Sequence, residues 1–464
     1  MRNPAAEGDT SVLDLVVRNA RPVAADRPMV DLGIRNGTVV VVAESGVLPA
    51  ARREVDAAGR FVVPGAVDTH THVGEVPAGY DHRYGMTQAG NYATETRAAL
   101  LGGTTTVLNY AKFGQGSLVE AVSTAMKLAE LESRVHMLVH GYVMNDRQLE
   151  EVPKAALAGV RTFKIFMPYR GPEAVSLGGI GSLNHAQLSE AFRAIADVGG
   201  HAMVHAEDGD IVAHCTRIET ARGMSDLASY DAARPVEAEG DASWTALYLA
   251  SRAGCPVTIV HVSSPEGLRA FRAANYERAT LETCPHYVVL SNRSPLGTLG
   301  KVAPPLRAEI VANAVSDAVV AGEIAFFGSD HNAWPSELKG SFVDGLAGLP
   351  GIGSLMPIVL THLVGDQEMP LADAVRLLST NAADTFGLPT KGRVAVGADA
   401  DLVVLEKGEW AVPAREPESA VDYSPYAGMT VRWLPGVVIR GGDVVVEDGR
   451  LIDDESRGHL LNER

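Results

Sequence analysis

Apolar positions near the start of the chain fall in short runs, VLDLVV, DLGIR and TVVVV, with Asn36-Gly37 between the last two and FVV just before Pro64-Gly65. Runs of this length bounded by turn residues describe strands, and Asn-Gly between two of them marks a tight hairpin. The far end repeats the pattern, with DLVVLE at 401 to 406, TVRWL at 430 to 434 and VVIRGGDVVVEDG at 437 to 449. The two ends are expected to pair into one small β-sandwich domain, formed from residues 1–64 and 390–464.

Between them the pattern changes. Eight apolar runs, at 66–72, 104–110, 134–142, 160–167, 201–207, 256–263, 279–287 and 324–331, alternate with longer stretches such as SLVEAVSTAMKLAELE and NHAQLSEAFRAIADVG. The longer stretches carry helical spacing, and strands alternating with helices predict a parallel sheet with crossovers. Eight such units within residues 65–389 suit an α/β fold of the (β/α)8 TIM-barrel kind. No glycine-rich dinucleotide fingerprint follows the first strand, which counts against an open doubly wound sheet. Residues 369 to 388, ending in TFGLP, read as closing helices.

Composition narrows the picture. At 464 residues the chain exceeds one ordinary core, which fits a large domain with a smaller one attached. A formal charge of −17 repels phosphate backbones and anionic lipid, so neither nucleic acid nor membrane is an expected partner. Cys215, Cys255 and Cys284 are odd in number and form no CxxC pair, as in reduced cytosolic proteins. The first ten residues are polar and acidic, and the expected location is cytoplasmic.

The residues able to do chemistry sit where the expected strands end: His70 and His72 on the first, Lys164 late in the fourth, His205, His261 and Asp330 on the fifth, sixth and eighth. Barrel active sites lie at that end, so these side chains can converge. A lone histidine at a strand end is more often an interior hydrogen-bonding group. Four histidines and a carboxylate together would desolvate one another without a cation, whereas their donor atoms suit a divalent transition metal. Lys164 is the odd member: as an ammonium it would be repelled by metals, so it is either an ordinary ion-paired lysine or is neutral or modified there.

The strings VPGAVDTHTH, GGTTTV, FKIFMPY, VHAED, HVSSPEG, ETCPHY, GSDH and STNAADTFGL, followed by GRVAVGADADLVVLE, resemble in order those of the cyclic amidohydrolase family. That family contains hydantoinases or dihydropyrimidinases, allantoinases and dihydroorotases, and the resemblance runs from about residue 12 to about 450. It implies that His70, His72 and Asp330 bind one metal, that His205 and His261 bind another, and that Lys164, carboxylated on its amine, bridges them. Zinc is the implied metal, with manganese, iron and cobalt as alternatives. A hydroxide shared by the two ions would attack a polarised amide carbonyl. Tyr169 would donate to the oxyanion, and Asp330 would move the proton to the departing ring nitrogen. A tyrosine such as Tyr169 can equally be a packed residue with a wet tip.

Within the family the substrate signals differ. Dihydroorotases carry an arginine two residues after the second histidine, where this chain has Gly74. Tyr169 and VDYSPYAG at 421 to 428 resemble hydantoinases, whereas His286 in CPHY and GLAGLPGI at 345 to 352 resemble allantoinases. The resemblance places the backbone of Ala303 and Ala347 against the ring amide. The loops VPAGYDHRYG, with Tyr80, His82, Arg83 and Tyr84, and PYRGPEAVSLGGIGSL could roof the pocket or be solvated turns. The reading is a hydantoinase or dihydropyrimidinase acting on a small cyclic amide, with an allantoinase second. A non-catalytic relative comes third, and all six ligand positions being filled counts against it. A homo-oligomer, commonly a tetramer, is what the resemblance implies for assembly.

Overall fold

A computed structural model describes residues 12–23, 28–74, 90–111, 114, 116–170 and 181–462. Three sheets organise them. The first is four-stranded and comes from the N-terminal segment: β1 (Leu15–Ala20), β2 (Val30–Arg35), β3 (Thr38–Glu44) and β4 (Arg53–Asp56), in the order β3-β2-β1-β4. The β2–β3 hairpin turns at Asn36-Gly37, as its sequence predicts. β5 (Val62–Pro64) leaves this sheet and pairs antiparallel with β14 (Leu402–Ala411) from the other end of the chain. Together with β15 (Thr430–Arg440), β16 (Asp443–Glu447) and β17 (Arg450–Leu451), β5 and β14 make a five-stranded sheet.

The two sheets share one core. Leu15, Val17, Leu32 and Ile34 from the first meet Leu402, Val404, Val437 and Ile439 from the second, as in a sandwich closed by alternate inward side chains. The final residues leave these sheets and return to the barrel, where Leu460 bridges Met137 and Asn462 bonds the backbone of Val139 and Gly159.

The larger unit is the barrel. Its strands are β6 (Ala66–Thr71), β7 (Thr104–Tyr110), β8 (His136–Tyr142), β9 (Thr162–Phe166), β10 (His201–His205), β11 (Val257–Ile259), β12 (Ala279–Thr283) and β13 (Phe326–Phe327), each parallel to the next. A parallel bridge from Thr71 to His331 joins the last strand's extension to the first. Alternation sorts the side chains. Phe163 and Ile165 of β9 pack outward against helices, while Phe166 joins Tyr110, Tyr142 and Met203 inside. Ala382, Ala383 and Phe386 of the closing helices belong to the same interior cluster, so the TFGLP segment plugs the barrel.

The expected helices form where their caps predict. Ser117 caps Leu118–Glu132 and accepts from the Glu120 amide, and Asn184 caps His185–Asp197 through a capping box with Gln187. Several strands are shorter than expected from sequence. Among them, β11 stops at Ile259 and β13 has only two residues, because His261 and Asp330 just beyond them take left-handed backbone angles, φ 43° and 49°. Among the described residues no helix is long and apolar enough to cross a membrane.

Candidate metal centre and active site

The ligand candidates reach one place by different local devices. On β6 the pairing with β7 runs Asp68 to Val107 and Thr71 to Asn109, so three steps on one strand match two on the other. Such a bulge re-aims the side chains that follow it, and here those include His70 and His72. On β9 and β10 simple alternation suffices, since Lys164 shares a face with Phe166 and His205 follows Met203 into the interior. His261 is different. Strand parity would place it with Ile259 on the helix side, and the left-handed turn at φ 43° brings it to the cavity instead. Non-glycine residues held in that region are strained, and they concentrate at functional sites.

All six candidates line one cavity of about 570 Å³ at the C-terminal end of the barrel, together with Tyr169, Ala303 and Ala347. Donor atoms of His70, His72 and Asp330 lie within 4.8 Å of one another. Asp330 Oδ1 is 3.3 Å from His70 Nε2 and 3.4 Å from His72 Nε2. Lys164 Nζ, fully buried, is 3.1 Å from His70 Nε2. The rings of His205 and His261 meet edge to face at 4.3 Å, and that of His261 is 5.3 Å from His70.

Electrostatics favour the ligand forms. Burial, then the charges of Lys164 and His261, hold His70 well below the ordinary imidazole value. Burial, then the charges of His205 and Lys164, do the same to His261. Burial lowers His205 against the opposing pull of Glu207. Neutral imidazoles are the forms that bind metals. Burial alone would raise Asp330, but the hydrogen bond and charge of His72 outweigh it and keep the carboxyl low.

Hydrogen bonds fix which ring nitrogen faces the cavity. His70 Nδ1 meets Glu282 Oε1 at 2.6 Å, His205 Nε2 meets Glu207 Oε2 at 2.6 Å, and His72 Nδ1 meets the Tyr142 hydroxyl at 3.1 Å. Partners of this kind orient imidazole ligands. His261 Nδ1 is buried and has no hydrogen-bond partner among the described residues, an orphan atom that a cation would satisfy. The donor set therefore fits divalent metal.

Tyr169 stands at the wall, its ring centre 6.1 Å from that of His205. His286 does not line the cavity. It is fully buried beside Tyr287, 4.2 Å between ring centres, with neither ring nitrogen hydrogen-bonded among the described residues. Gly74 sits at φ 72° against Tyr92, where an added Cβ would lie 2.7 Å from the ring, so an arginine side chain has no room there. Tyr80, His82, Arg83 and Tyr84, and residues 171 to 180 of the second candidate loop, lie outside the described residues. Glu207 and Glu282 were not singled out from sequence. Glu207 carried a signal, standing two positions after His205 on the same strand line, whereas Glu282 is 212 residues from His70 and carried none.

Fold and rim together place the chain among the (β/α)8-barrel hydrolases. It belongs to the amidohydrolase family, whose model matches residues 61–445. A D-hydantoinase from Ralstonia pickettii is 31% identical, covering 97% of this chain and 99% of its own. An allantoinase from Rubrobacter xylanophilus is 32% identical, covering 95% and 96%. The solved L-hydantoinase (dihydropyrimidinase) from Arthrobacter aurescens superposes with a TM-score of 0.87 at 30% identity, over 95% of this chain and 98% of that one.

Proposed function

We propose that this hydrolase opens the ring of a hydantoin or a dihydropyrimidine, both cyclic amides, to an N-carbamoyl amino acid. One observation carries the reading: His70, His72, Lys164, His205, His261 and Asp330 line a single cavity that also presents Ala303 and Ala347. Relatives named as a D-hydantoinase and an L-hydantoinase (dihydropyrimidinase), each aligned over nearly the whole chain, support it.

In this reading His70, His72 and Asp330 would hold one divalent ion and His205 and His261 a second, with Lys164, carboxylated by carbon dioxide with loss of a proton, as the shared ligand. Zinc is the expected metal for this donor set. An ammonium on Lys164, 3.1 Å from His70, would oppose bound cations, and carboxylation turns the group into an anion. When bound, such ions acidify water to near neutrality and polarise the substrate carbonyl.

The chain's own residues do the rest. Asp330 takes the proton of the attacking water and returns one to the departing ring nitrogen. Tyr169 donates to the oxyanion that forms at the carbonyl. Backbone groups of Ala303 and Ala347 hold the ring amide. Because those contacts are main-chain, they do not depend on the small alanine side chains.

Turnover of dihydrouracil, a substituted hydantoin and allantoin, with metal content measured on the same preparation, tests the reading. Ring opening of either of the first two supports it. Turnover of allantoin alone would replace it with the second reading, an allantoinase, which the 32% identical relative favours. Protein that carries no divalent metal after growth with added zinc would point to a non-catalytic role.

A further inference from the structure

Two lysines near the cavity have no obvious task in the chemistry above. Lys339 is fully buried, and Lys301 is 6% exposed. Burying an amine is costly unless its hydrogens are used, so the partners of these two are informative.

Lys339 Nζ donates to two main-chain carbonyls, that of Lys301 at 2.6 Å and that of Gly348 at 2.5 Å. The Gly348 amide donates to the same Lys301 carbonyl at 3.0 Å. Gly348 itself has φ +130°, and a Cβ there would lie 2.7 Å from Asn332, so the main chain can take this path only with glycine. The Lys301 side chain reaches the other way, donating to the carbonyl of Gly345 at 2.6 Å and approaching that of Val343 at 3.4 Å. Trp334 Nε1 pins the carbonyl of Ala347 at 3.1 Å.

These bonds join two segments of main chain. One runs from Lys301 to Ala303, the other from Val343 to Gly348, and residues of both line the cavity. Lys339 is the tie between them, since it grips a carbonyl on each. Burial, then the charge of Lys301, holds its pKa well below the usual lysine range.

We propose that Lys339 is a positioning residue for the substrate ring: by tying the Lys301 carbonyl to the Gly348 carbonyl it sets the spacing between the backbone of Ala303 and that of Ala347. The inference rests on the proposed reading that those two segments hold the ring amide. It assigns substrate fit to a residue that touches neither substrate nor metal.

Lys339→Met removes the tie while keeping an unbranched apolar stem. With the full-length protein and 5-methylhydantoin or dihydrouracil, KM should rise roughly 10-fold while kcat stays within about 3-fold, the signature of lost ground-state and transition-state binding together. Metal content should equal that of the wild type. An unchanged KM overturns the proposal, as does a parallel loss of metal, kcat and thermal stability, which marks a merely structural lysine. Should Lys339→Met not fold, Lys301→Met frees the opposite end of the same strap and should raise KM in the same way. An unchanged KM there is equally fatal. If wild-type protein turns over neither substrate, the ring-amide reading fails first and takes this inference with it.

Discussion

His70 and Glu282 are held together across the barrel, with Nδ1 2.6 Å from Oε1, while Thr69 Oγ1 donates to the other carboxylate oxygen at 2.5 Å. His205 and Glu207, two residues apart at the end of β10, repeat the arrangement at the same distance, and Arg234 grips Glu207 through two bonds of 2.7 and 3.1 Å. One pair leaves Nε2 of His70 for the cavity and the other leaves Nδ1 of His205. These two imidazoles are thus held alike, each anchored by a buried carboxyl group.

Replacing Glu282 with Gln should therefore act on the metal. The amide cannot serve as a carboxylate partner for His70, and losses of roughly 10- to 100-fold in metal affinity follow from removing such partners. Competition with a chelating dye would measure it. Wild-type affinity in the variant would show that the pair has no such role.

Lys164→Ala should lose metal and turnover together, because the bridge and its charge disappear at once. Elemental analysis and the activity assay on protein whose circular-dichroism spectrum matches the wild type separate this from a simple folding defect. Retained turnover would remove Lys164 from the centre. Chelation of wild-type protein should abolish activity and lower the melting temperature, both recovering when zinc is returned, since a ligand bound only by the folded state stabilises it.

Tyr169→Phe should keep its metal and lose about 100-fold in kcat, the usual effect of deleting one donor to a developing oxyanion. Because that donor is needed mainly in the transition state, KM should move little. A variant with undiminished kcat would make Tyr169 a packing residue of the cavity wall.

Asp401 gives a prediction about pH. It accepts from Lys391 Nζ at 2.6 Å, from the Gly441 amide at 2.7 Å and lies 3.2 Å from His136 Nε2. Burial alone would raise its pKa, but the charges of His136 and Lys391 outweigh burial and hold the carboxyl far below the usual carboxylate range. Burial keeps His136 itself below the ordinary imidazole value. A depressed carboxyl adds stability that is complete above the unfolded value of about 3.9 and fades as pH falls through the folded one. Asp401→Asn should cost about 3 kcal/mol near neutrality, as breaking a buried pair does. The melting-temperature gap from wild type should narrow below about pH 4, and a gap independent of pH would contradict the assignment.

Much of the molecule was legible in one dimension. The Asn36-Gly37 turn, the Ser117 and Asn184 caps and the alternation of Lys164 with Phe163 and Ile165 are decided by neighbours within four residues, where side-chain chemistry and backbone geometry act directly. The order of the six ligand candidates was legible too, because five stand near or past a strand end, Lys164 points inward from the middle of β9, and barrel topology collects such positions. Local pattern failed at His261, where IVHVS reads as continuous strand although the chain turns left-handed at the histidine. It also had nothing to say about Lys339 or Glu282, whose partners are distant in the chain or are backbone carbonyls with no sequence signature.

The sequence by itself determined that eight strand–helix units follow one another and that imidazoles, an amine and a carboxylate end up at a common rim, since periodicity and order along the chain suffice for both. Only the tertiary structure decided which ring nitrogen each histidine offers, how a bulge on β6 and a left turn after β11 aim His70, His72 and His261, and how Lys339 ties the cavity's backbone edges. Those outcomes depend on contacts between segments brought together by closure of the barrel, and on burial that makes an unpaired polar atom costly. Neither is encoded in any short stretch of residues.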